Sequence, residues 1–292
     1  MASAQLRDTR RRIRSVEATQ KITRAMELIA ASRIPRARAR VLASQPYTAK
    51  LIEVIENVSG AGSASSHALL ERREVKTVGV LIVTSDRGMA GAYASSIIRL
   101  AETRIVELEK SGVDVAVYAV GKKAHAYFRY RGYRIAQAYL GVTDTPGYGD
   151  ARAIANTAMA AYAEGRIDSL ETFYTQYQTA MRQVPTQTEM LPITPPESTG
   201  EGEAGSISYQ FEPSPEEILD RLLPRYVEAN IFNILLEASA SEHSARRRAM
   251  KAATDNADEL IRTLSIQANR ARQAEITTAI TEIVGGAEAL AE

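Results

Sequence analysis

Residues 225–284 read RYVEANIFNILLEASASEHSARRRAMKAATDNADELIRTLSIQANRARQAEITTAITEIV and contain neither Gly nor Pro, the residues that most readily end a helix. An unbroken helix of this length would extend roughly 90 Å, whereas a typical globular helix has about 10–14 residues. Mostly small apolar side chains recur in it at alternating steps of three and four residues, the spacing of a coiled-coil seam. They are Met250, Ala253, Ala257, Leu260, Leu264, Gln267, Ala271 and Ala274. The stretch therefore predicts a long helix that packs against a partner helix along its length.

A second long helix is predicted at the start of the chain, because residues 3–58 contain no Gly and place apolar residues at helical spacing. These apolar residues are Leu6, Ile13, Val16, Ile22, Met26 and Ile29. Ser3 is a suitable N-cap for the helix. Pro35 and Pro46 each remove a backbone donor, and we expect a kink or a register adjustment at Pro35. Antiparallel pairing of the two terminal helices is the simplest way to cover both seams.

The region between the two helices has a different composition, since fifteen of the seventeen glycines lie between Gly60 and Gly205. A linker at residues 59–74 opens with a run of small residues, and apolar runs then alternate with helical segments. We expect strands at 78–83, 113–120, near 133, at 169–177, 187–193 and 206–211, and helices at 90–110, 122–131 and 150–164. This order predicts an α/β domain, with a mostly parallel sheet and flanking helices, inserted between the helices of an antiparallel coiled coil. The predicted domains are residues 1–58, 74–211 and 212–292.

The composition of the 292-residue chain, with 45% hydrophobic and 24% charged residues, is typical of a globular protein. It contains no Cys, which excludes disulfides and thiol chemistry and fits a reducing cytoplasm. No apolar run approaches the ~18 residues that would span a bilayer, so we expect membrane association only through partners. Residues 1–40 carry eleven Lys or Arg and three acids. Such a basic arm is either a solvated helix surface or the binding site of an acidic partner.

No catalytic, cofactor or metal site is predicted. The turn at 84–93 follows a strand and opens a helix, which is where a phosphate-binding loop would lie. It has neither a Gly-x-Gly-x-x-Gly nor a Gly-Lys-Ser/Thr pattern, and a tight turn is the better interpretation. The three histidines, His67, His125 and His243, have no second ligand at metal-binding spacing. We therefore expect the function to depend on the shape and interaction surfaces of the chain.

Five segments carry a distinctive pattern. They are IRSV at 13–16, TQKITRAMELIAAS at 19–32, TSDRGMAGAY at 84–93, MKAATDN at 250–256, and a last one running from NRARQAEIT at 269–277 to EIVGGA at 282–287. In this order and at this spacing, they resemble the gamma subunit of F-type ATP synthases. The resemblance implies that the helices form the antiparallel coiled coil of a central rotor, with its C-terminal tip inside a ring of alternating alpha and beta subunits. It also implies that the α/β domain stands on the membrane-embedded c-ring beside the epsilon subunit.

The same resemblance implies a function and a set of contact residues. The chain would be a non-catalytic rotor subunit that couples proton flow to ATP synthesis on the beta subunits, at the cytoplasmic face of a bacterial membrane. Residues that the family uses against the surrounding ring correspond to Met26, Arg246, Arg272, Gln273 and Thr277. These are interaction residues, so no catalytic role is expected of them.

The segment at 84–93 departs from the family pattern at Ala90, where Cys is usual, and Ala94 follows it where Asn is frequent. Neither position belongs to the implied ring contacts.

Two other functions fit parts of the sequence. A basic coiled coil could bind nucleic acid through residues 1–40, although this arm has no aromatic residue for base stacking before Tyr47 and no recognised nucleic-acid motif. Retention on DNA or on an alpha–beta complex at moderate salt separates this hypothesis from the rotor. A nucleotide-dependent α/β enzyme is the second alternative. It lacks a phosphate loop, and calorimetric titration of ATP and NAD tests it directly.

Overall fold

The computed structural model of this chain describes residues 2–58, 67–194 and 214–291. Two long helices enclose an α/β region. In chain order the elements are α1 (Ala2–Val58), β1 (Thr77–Val83), α2 (Tyr93–Lys110), β2 (Asp114–Val120), α3 (Lys122–Tyr130), β3 (Ile135–Tyr139), α4 (Tyr148–Ala163), β4 (Ser169–Tyr177), β5 (Gln183–Leu191) and α5 (Pro215–Ala291). The predicted fold class is confirmed. The strand expected at 206–211 and the start of the linker at 59–66 lie outside the described residues.

The chain divides into two compact units, and each long helix contributes to both. The coiled-coil unit comprises residues 1–31 and 246–292, and the α/β unit comprises residues 32–245. The α/β unit thus includes the second half of α1 and the first part of α5, in addition to the domain expected at 74–211.

The two helices of the coiled-coil unit run antiparallel. Gln20 Nε2 donates a hydrogen bond to Asp258 Oδ1 at 2.5 Å, and the hydroxyl groups of Thr23 and Thr254 are 2.8 Å apart. The later residue of α1 thus pairs with the earlier residue of α5, which is the order of an antiparallel pair. The interior is narrow, since the buried side chains are mostly small. On the described part of this unit they are Leu6, Thr23, Ala30, Arg246, Met250, Thr254, Ala257, Leu264 and Ala268.

Half of the predicted seam on α5 is displaced by one residue. Met250, Ala257 and Leu264 are buried as expected, but Leu260 is 46% exposed and Gln267 is exposed. The positions that turn inward between them are Thr254, half-buried Ile261 and Ala268. Both patterns alternate steps of three and four, so apolar spacing alone does not separate them. The buried Thr23–Thr254 hydrogen bond selects the observed one.

Part of the apolar series predicted for α1 is also exposed. Ile22 is 60% exposed and Ile29 is 54% exposed, whereas Thr23 and Ala30, one residue further along, are buried. The small residues of α1 thus face its partner helix, and the large aliphatic residues of this segment face outward. A contact with small residues brings the two helix backbones close together.

Pro35 and Pro46 do not end the first helix, and Pro224 does not end the last. A proline inside a helix removes one hydrogen bond and crowds the carbonyl four residues earlier. Around Pro35 the helix is supported by packing, because Ile34 and Val41 are both buried and Val41 belongs to a cluster with Leu236 of α5. Tertiary contacts therefore maintain the helix that local sequence disfavours.

The α/β unit is built on a five-stranded sheet in the order β3-β2-β1-β4-β5. The β1–β2, β1–β4 and β2–β3 pairs are parallel, and only β4–β5 is antiparallel. Side chains of β1 alternate between two cores. Leu81 and Val83 belong to a core with α4 and the first part of α5, while Val80 and Ile82 belong to a core with α2 and α3. This strand is buried on both faces, as its continuous apolar run predicts.

We expect amide hydrogen exchange to differ between the two units. Residues 78–193 should be protected because their amides lie in a sheet with two packed cores, whereas residues 250–283 should exchange fast because few large side chains are buried there. Exchange of the isolated full-length chain, followed by mass spectrometry of peptic peptides, measures both regions at once. Equal protection of the two regions would contradict the division into units of different stability.

Candidate interaction surfaces

The turn after β1 is closed by a carboxylate of the chain itself. Asp86 accepts hydrogen bonds from the backbone N–H groups of Lys122, Gly141 and Thr143 at 3.1, 2.9 and 3.2 Å. Burial opposes ionisation of Asp86, but these hydrogen bonds and that of the Thr143 hydroxyl outweigh it, and the pKa lies below its ordinary value. The carboxylate lies at the start of α3, where a phosphate would bind. It repels a nucleotide phosphate, which supports the interpretation of this segment as a structural turn.

Asp86→Asn is expected to destabilise the α/β unit by about 1–2 kcal/mol at pH 7, because an amide is a weaker acceptor and the site is half-buried. A carboxyl group with a lowered pKa stabilises the fold above the unfolded pKa of about 3.9 and loses that contribution as the pH falls through the folded pKa. Urea unfolding of both forms at pH 7 and pH 3 tests this. The difference between them should shrink at pH 3, and a difference independent of pH would contradict it.

The structure separates the five implied contact residues into two groups. Arg272, Gln273 and Thr277 are exposed on α5, and the Thr277 hydroxyl donates to the backbone carbonyl of Gln273 at 2.9 Å. Met26 is half-buried on α1. Arg246 is only 7% exposed. The exposed positive charge at this level of α5 belongs to its neighbours, Arg247 and Arg248.

Large aliphatic side chains lie on the outside of the coiled-coil unit, and they include Ile22 and Ile29 of the apolar series predicted for α1. Those at least half exposed are Ile22, Leu28, Ile29, Ile266, Ile276, Ile280, Ile283 and Val284. Ile283 reaches 72% exposure. Apolar patches of this kind on a protein surface are typical of contacts with another protein. The exterior of this unit is therefore more apolar than the Ala-rich seam suggests, and its composition fits a surface covered by partners.

Asp144, in the loop between β3 and α4, contacts both long helices inside the α/β unit. Arg33 of α1 donates to both carboxylate oxygens of Asp144 at 2.6 Å, and Ser239 of α5 donates to its backbone carbonyl at 3.0 Å. Arg87 lies 3.7 Å and His243 3.9 Å from the same carboxylate. Burial opposes ionisation, but Arg33, aided by Arg87 and His243, lowers the pKa of Asp144. Sequence reasoning missed this cluster because its members lie far apart along the chain and match no motif.

Comparison with known proteins assigns the chain to a family. The ATP synthase family model matches residues 5–290. The ATP synthase gamma chain of Acidothermus cellulolyticus is 48% identical, over 98% of this chain and 97% of its own length. This chain belongs to the ATP synthase gamma chain family. The gamma chain of Streptomyces griseus is 49% identical, over 99% of this chain and 97% of its own length. A chain of the Euglena gracilis mitochondrial ATP synthase F1/c-ring structure aligns over 99% of this chain and 95% of that chain, with a TM-score of 0.69. At 15% identity, that alignment shows the shared fold.

As a gamma chain, the protein is a non-catalytic subunit of the central stalk of ATP synthase. The relatives give no support to the nucleic-acid hypothesis. Among residues 2–58, 67–194 and 214–291, no helix is both long and apolar enough to cross a membrane. In the same ranges, no three His, Asp or Glu side chains are grouped as metal ligands. Because the chain is a subunit of a larger enzyme, the surfaces described above are candidates for binding other subunits.

Proposed function

We propose that the coiled-coil unit of this gamma chain turns inside a ring of alternating alpha and beta subunits, and so couples proton flow to ATP synthesis on the beta subunits. The observation that carries this proposal is the distribution of side chains on the unit. Small residues fill the interface between its helices, while large aliphatic and cationic residues are exposed on the outside. A shaft enclosed by other subunits needs such an outward-facing contact surface.

The α/β unit is proposed to stand on the c-ring beside the epsilon subunit. Support comes from the wider structural likeness, since a chain of the central stalk/c-ring structure of Tetrahymena thermophila ATP synthase aligns over 80% of this chain with a TM-score of 0.58. This placement makes the chain a peripheral protein of the cytoplasmic face of the bacterial cell membrane, held there through its partners.

The proposed ring contacts are Met26, Arg246, Arg272, Gln273 and Thr277. Exposure supports Arg272, Gln273 and Thr277 most directly, because their side chains are accessible to a surrounding subunit. Arg246 contributes to such a contact only if its buried guanidinium turns outward. The exposed residues Arg247 and Arg248 supply positive charge at that level without rearrangement. Arg and Gln side chains can exchange hydrogen-bond partners as the shaft turns.

Co-expression with bacterial alpha and beta subunits tests the proposal. An affinity tag on alpha should retain this chain, and the purified complex should hydrolyse ATP with rotation of the chain under single-molecule observation. DNA-cellulose at moderate salt serves as the comparison column. Retention by DNA, together with loss from the alpha–beta complex, would overturn the proposed function.

A further inference from the structure

A polar cavity of about 320 Å³ lies within the α/β unit, between the β4–β5 pair and α5. One face of α5 contributes Tyr226, Asn230, Asn233 and Glu237, which follow one another at steps of four, three and four residues. Tyr174 of β4 lines the opposite side. Helical periodicity thus directs two amides, a carboxylate and a phenol toward one space.

Two carboxylates line this cavity, Glu189, which is exposed, and Glu237, which is half-buried on α5. The Glu237 carboxylate accepts the backbone N–H of Tyr177 at 3.2 Å and forms no ion pair with any residue in the described ranges. Burial raises the pKa of Glu237. Burial, with a smaller contribution from the Glu237 charge, raises the pKa of Tyr174 to about 12, so this phenol keeps its proton. The cavity therefore contains a carboxylate with polar neighbours but with no cation among the described residues to balance its charge.

Glu228, a carboxylate earlier on the same helix, is paired. It is 4% exposed, accepts the Tyr148 hydroxyl at 2.7 Å, and lies 3.5 and 3.6 Å from Arg152 and Arg225. A charge removed from water is costly without a partner, which is why proteins usually supply one. Half-buried Glu237 has no such cation among the described residues.

Asn233 is held in place beside Glu237. Its Nδ2 donates to Thr48 Oγ1 at 2.7 Å, and its Oδ1 is buried away from the cavity. The cation that Glu237 lacks is supplied by an alkylammonium, whose three N–H donors can bind the carboxylate and other polar groups of the lining.

We propose that this cavity receives the ammonium group of a lysine from a partner subunit of the complex. The inference rests on the proposed function only for the source of the lysine. Residues 195–213, which follow the cavity residue Thr194 in sequence, contain four Glu and no Lys or Arg, so that stretch cannot supply the cation. Charge complementarity selects a basic partner, and the cavity residues include too few carboxylates for a metal site.

The first arm of the test uses n-butylammonium as the probe of the isolated full-length chain. At several times its Kd, the amine should raise the melting temperature by about 2–4 °C, and it should not do so for Glu237→Gln. The matched control is Glu189→Gln, which removes an exposed carboxylate at the rim and should keep the response. No response of the wild-type chain, or an equal response of Glu237→Gln, overturns the ammonium site whether or not the chain assembles.

The second arm uses the complex assembled with alpha, beta, epsilon and c-ring subunits. A carbodiimide activates the Glu237 carboxylate, a nearby lysine amine displaces the activating group as a urea, and an amide bond joins the two chains. Peptide mass spectrometry should find this link in the wild-type complex and lose it in Glu237→Gln. An assembled complex with no link from Glu237 to a partner lysine overturns the partner source. Failure to assemble would instead contradict the proposed function, and the butylammonium arm would still decide the site.

Discussion

Leu260→Pro is expected to abolish assembly of this chain with the alpha and beta subunits. Proline removes the hydrogen bond from residue 260 to the carbonyl of Asn256 and its ring clashes with that carbonyl, which costs about 3 kcal/mol or more in a helix interior. Position 260 lies within α5, between the buried residues Ala257 and Leu264. A break there interrupts α5 within the coiled-coil unit, so the residues after position 260 lose their alignment with the seam before it. Size-exclusion chromatography of the co-expressed complex and its ATPase activity measure the effect.

Leu260→Ala is the matched control. The Leu260 side chain is 46% exposed, so its truncation removes little buried apolar surface, and Ala has the highest helix propensity. The alanine variant should therefore assemble and hydrolyse ATP like the wild-type complex. A proline variant that assembled and showed normal ATP-driven rotation would contradict the continuous helix.

The sequence predicted β1 and β2 to within one residue at either end because each contains a run of apolar residues. Strand β1 was expected at 78–83 and is Thr77–Val83, and β2 was expected at 113–120 and is Asp114–Val120. The antiparallel strand β5 was placed too late, at 187–193, although it spans Gln183–Leu191. Its first half is Gln-, Thr- and Pro-containing, and its conformation is set by pairing with β4, which local hydrophobicity does not encode.

The register of the coiled coil shows a second limit of prediction from sequence. Sequence spacing predicted the two helices, and antiparallel pairing was expected as the simplest way to cover both seams. The same three-and-four spacing assigned Leu260 to the interior. In the structure, polar contacts set the register: Thr23 meets Thr254, and Gln20 meets Asp258. The large aliphatic residues are then left outside, where the sequence alone gives no reason to place them. The proposed enclosure by other subunits supplies that reason.

Sequence patterns could not predict the Asp144 cluster or the Glu237 cavity, because both depend on how the chain folds. Arg33 and Asp144 are 111 positions apart, and only the folded α/β unit brings them to 2.6 Å. Glu237 is one of many acids on a long helix, and its distinguishing property is the absence of a nearby cation among the described residues. Both features depend on tertiary placement, so a residue-by-residue pattern cannot detect them.

Arg272→Glu is expected to lower coupled ATP synthesis by about two- to fivefold while leaving the melting temperature of the isolated chain unchanged. Arg272 is exposed and forms no ion pair within the described residues, so the isolated chain loses nothing when its charge is reversed. In the assembled enzyme, we expect acidic side chains of the surrounding ring to face this positive charge. Exposed ion pairs contribute about 0.2–1 kcal/mol each and are screened by salt, which suits a contact that must form and release at each step.

The control for charge reversal is Arg99→Glu on α2, where the side chain is exposed and forms no ion pair among the described residues. Arg104 would be unsuitable, because its guanidinium makes a bidentate contact with buried Glu171 at 2.8–3.2 Å and reversal there would damage the α/β unit itself. Proton-driven ATP synthesis in reconstituted vesicles, at low and high salt, is compared with thermal unfolding of each isolated chain. The loss caused by Arg272→Glu should be larger at low salt, where a like-charge repulsion is least screened. Equal losses for Arg99→Glu and Arg272→Glu would exclude an electrostatic contact between the shaft and the ring at Arg272.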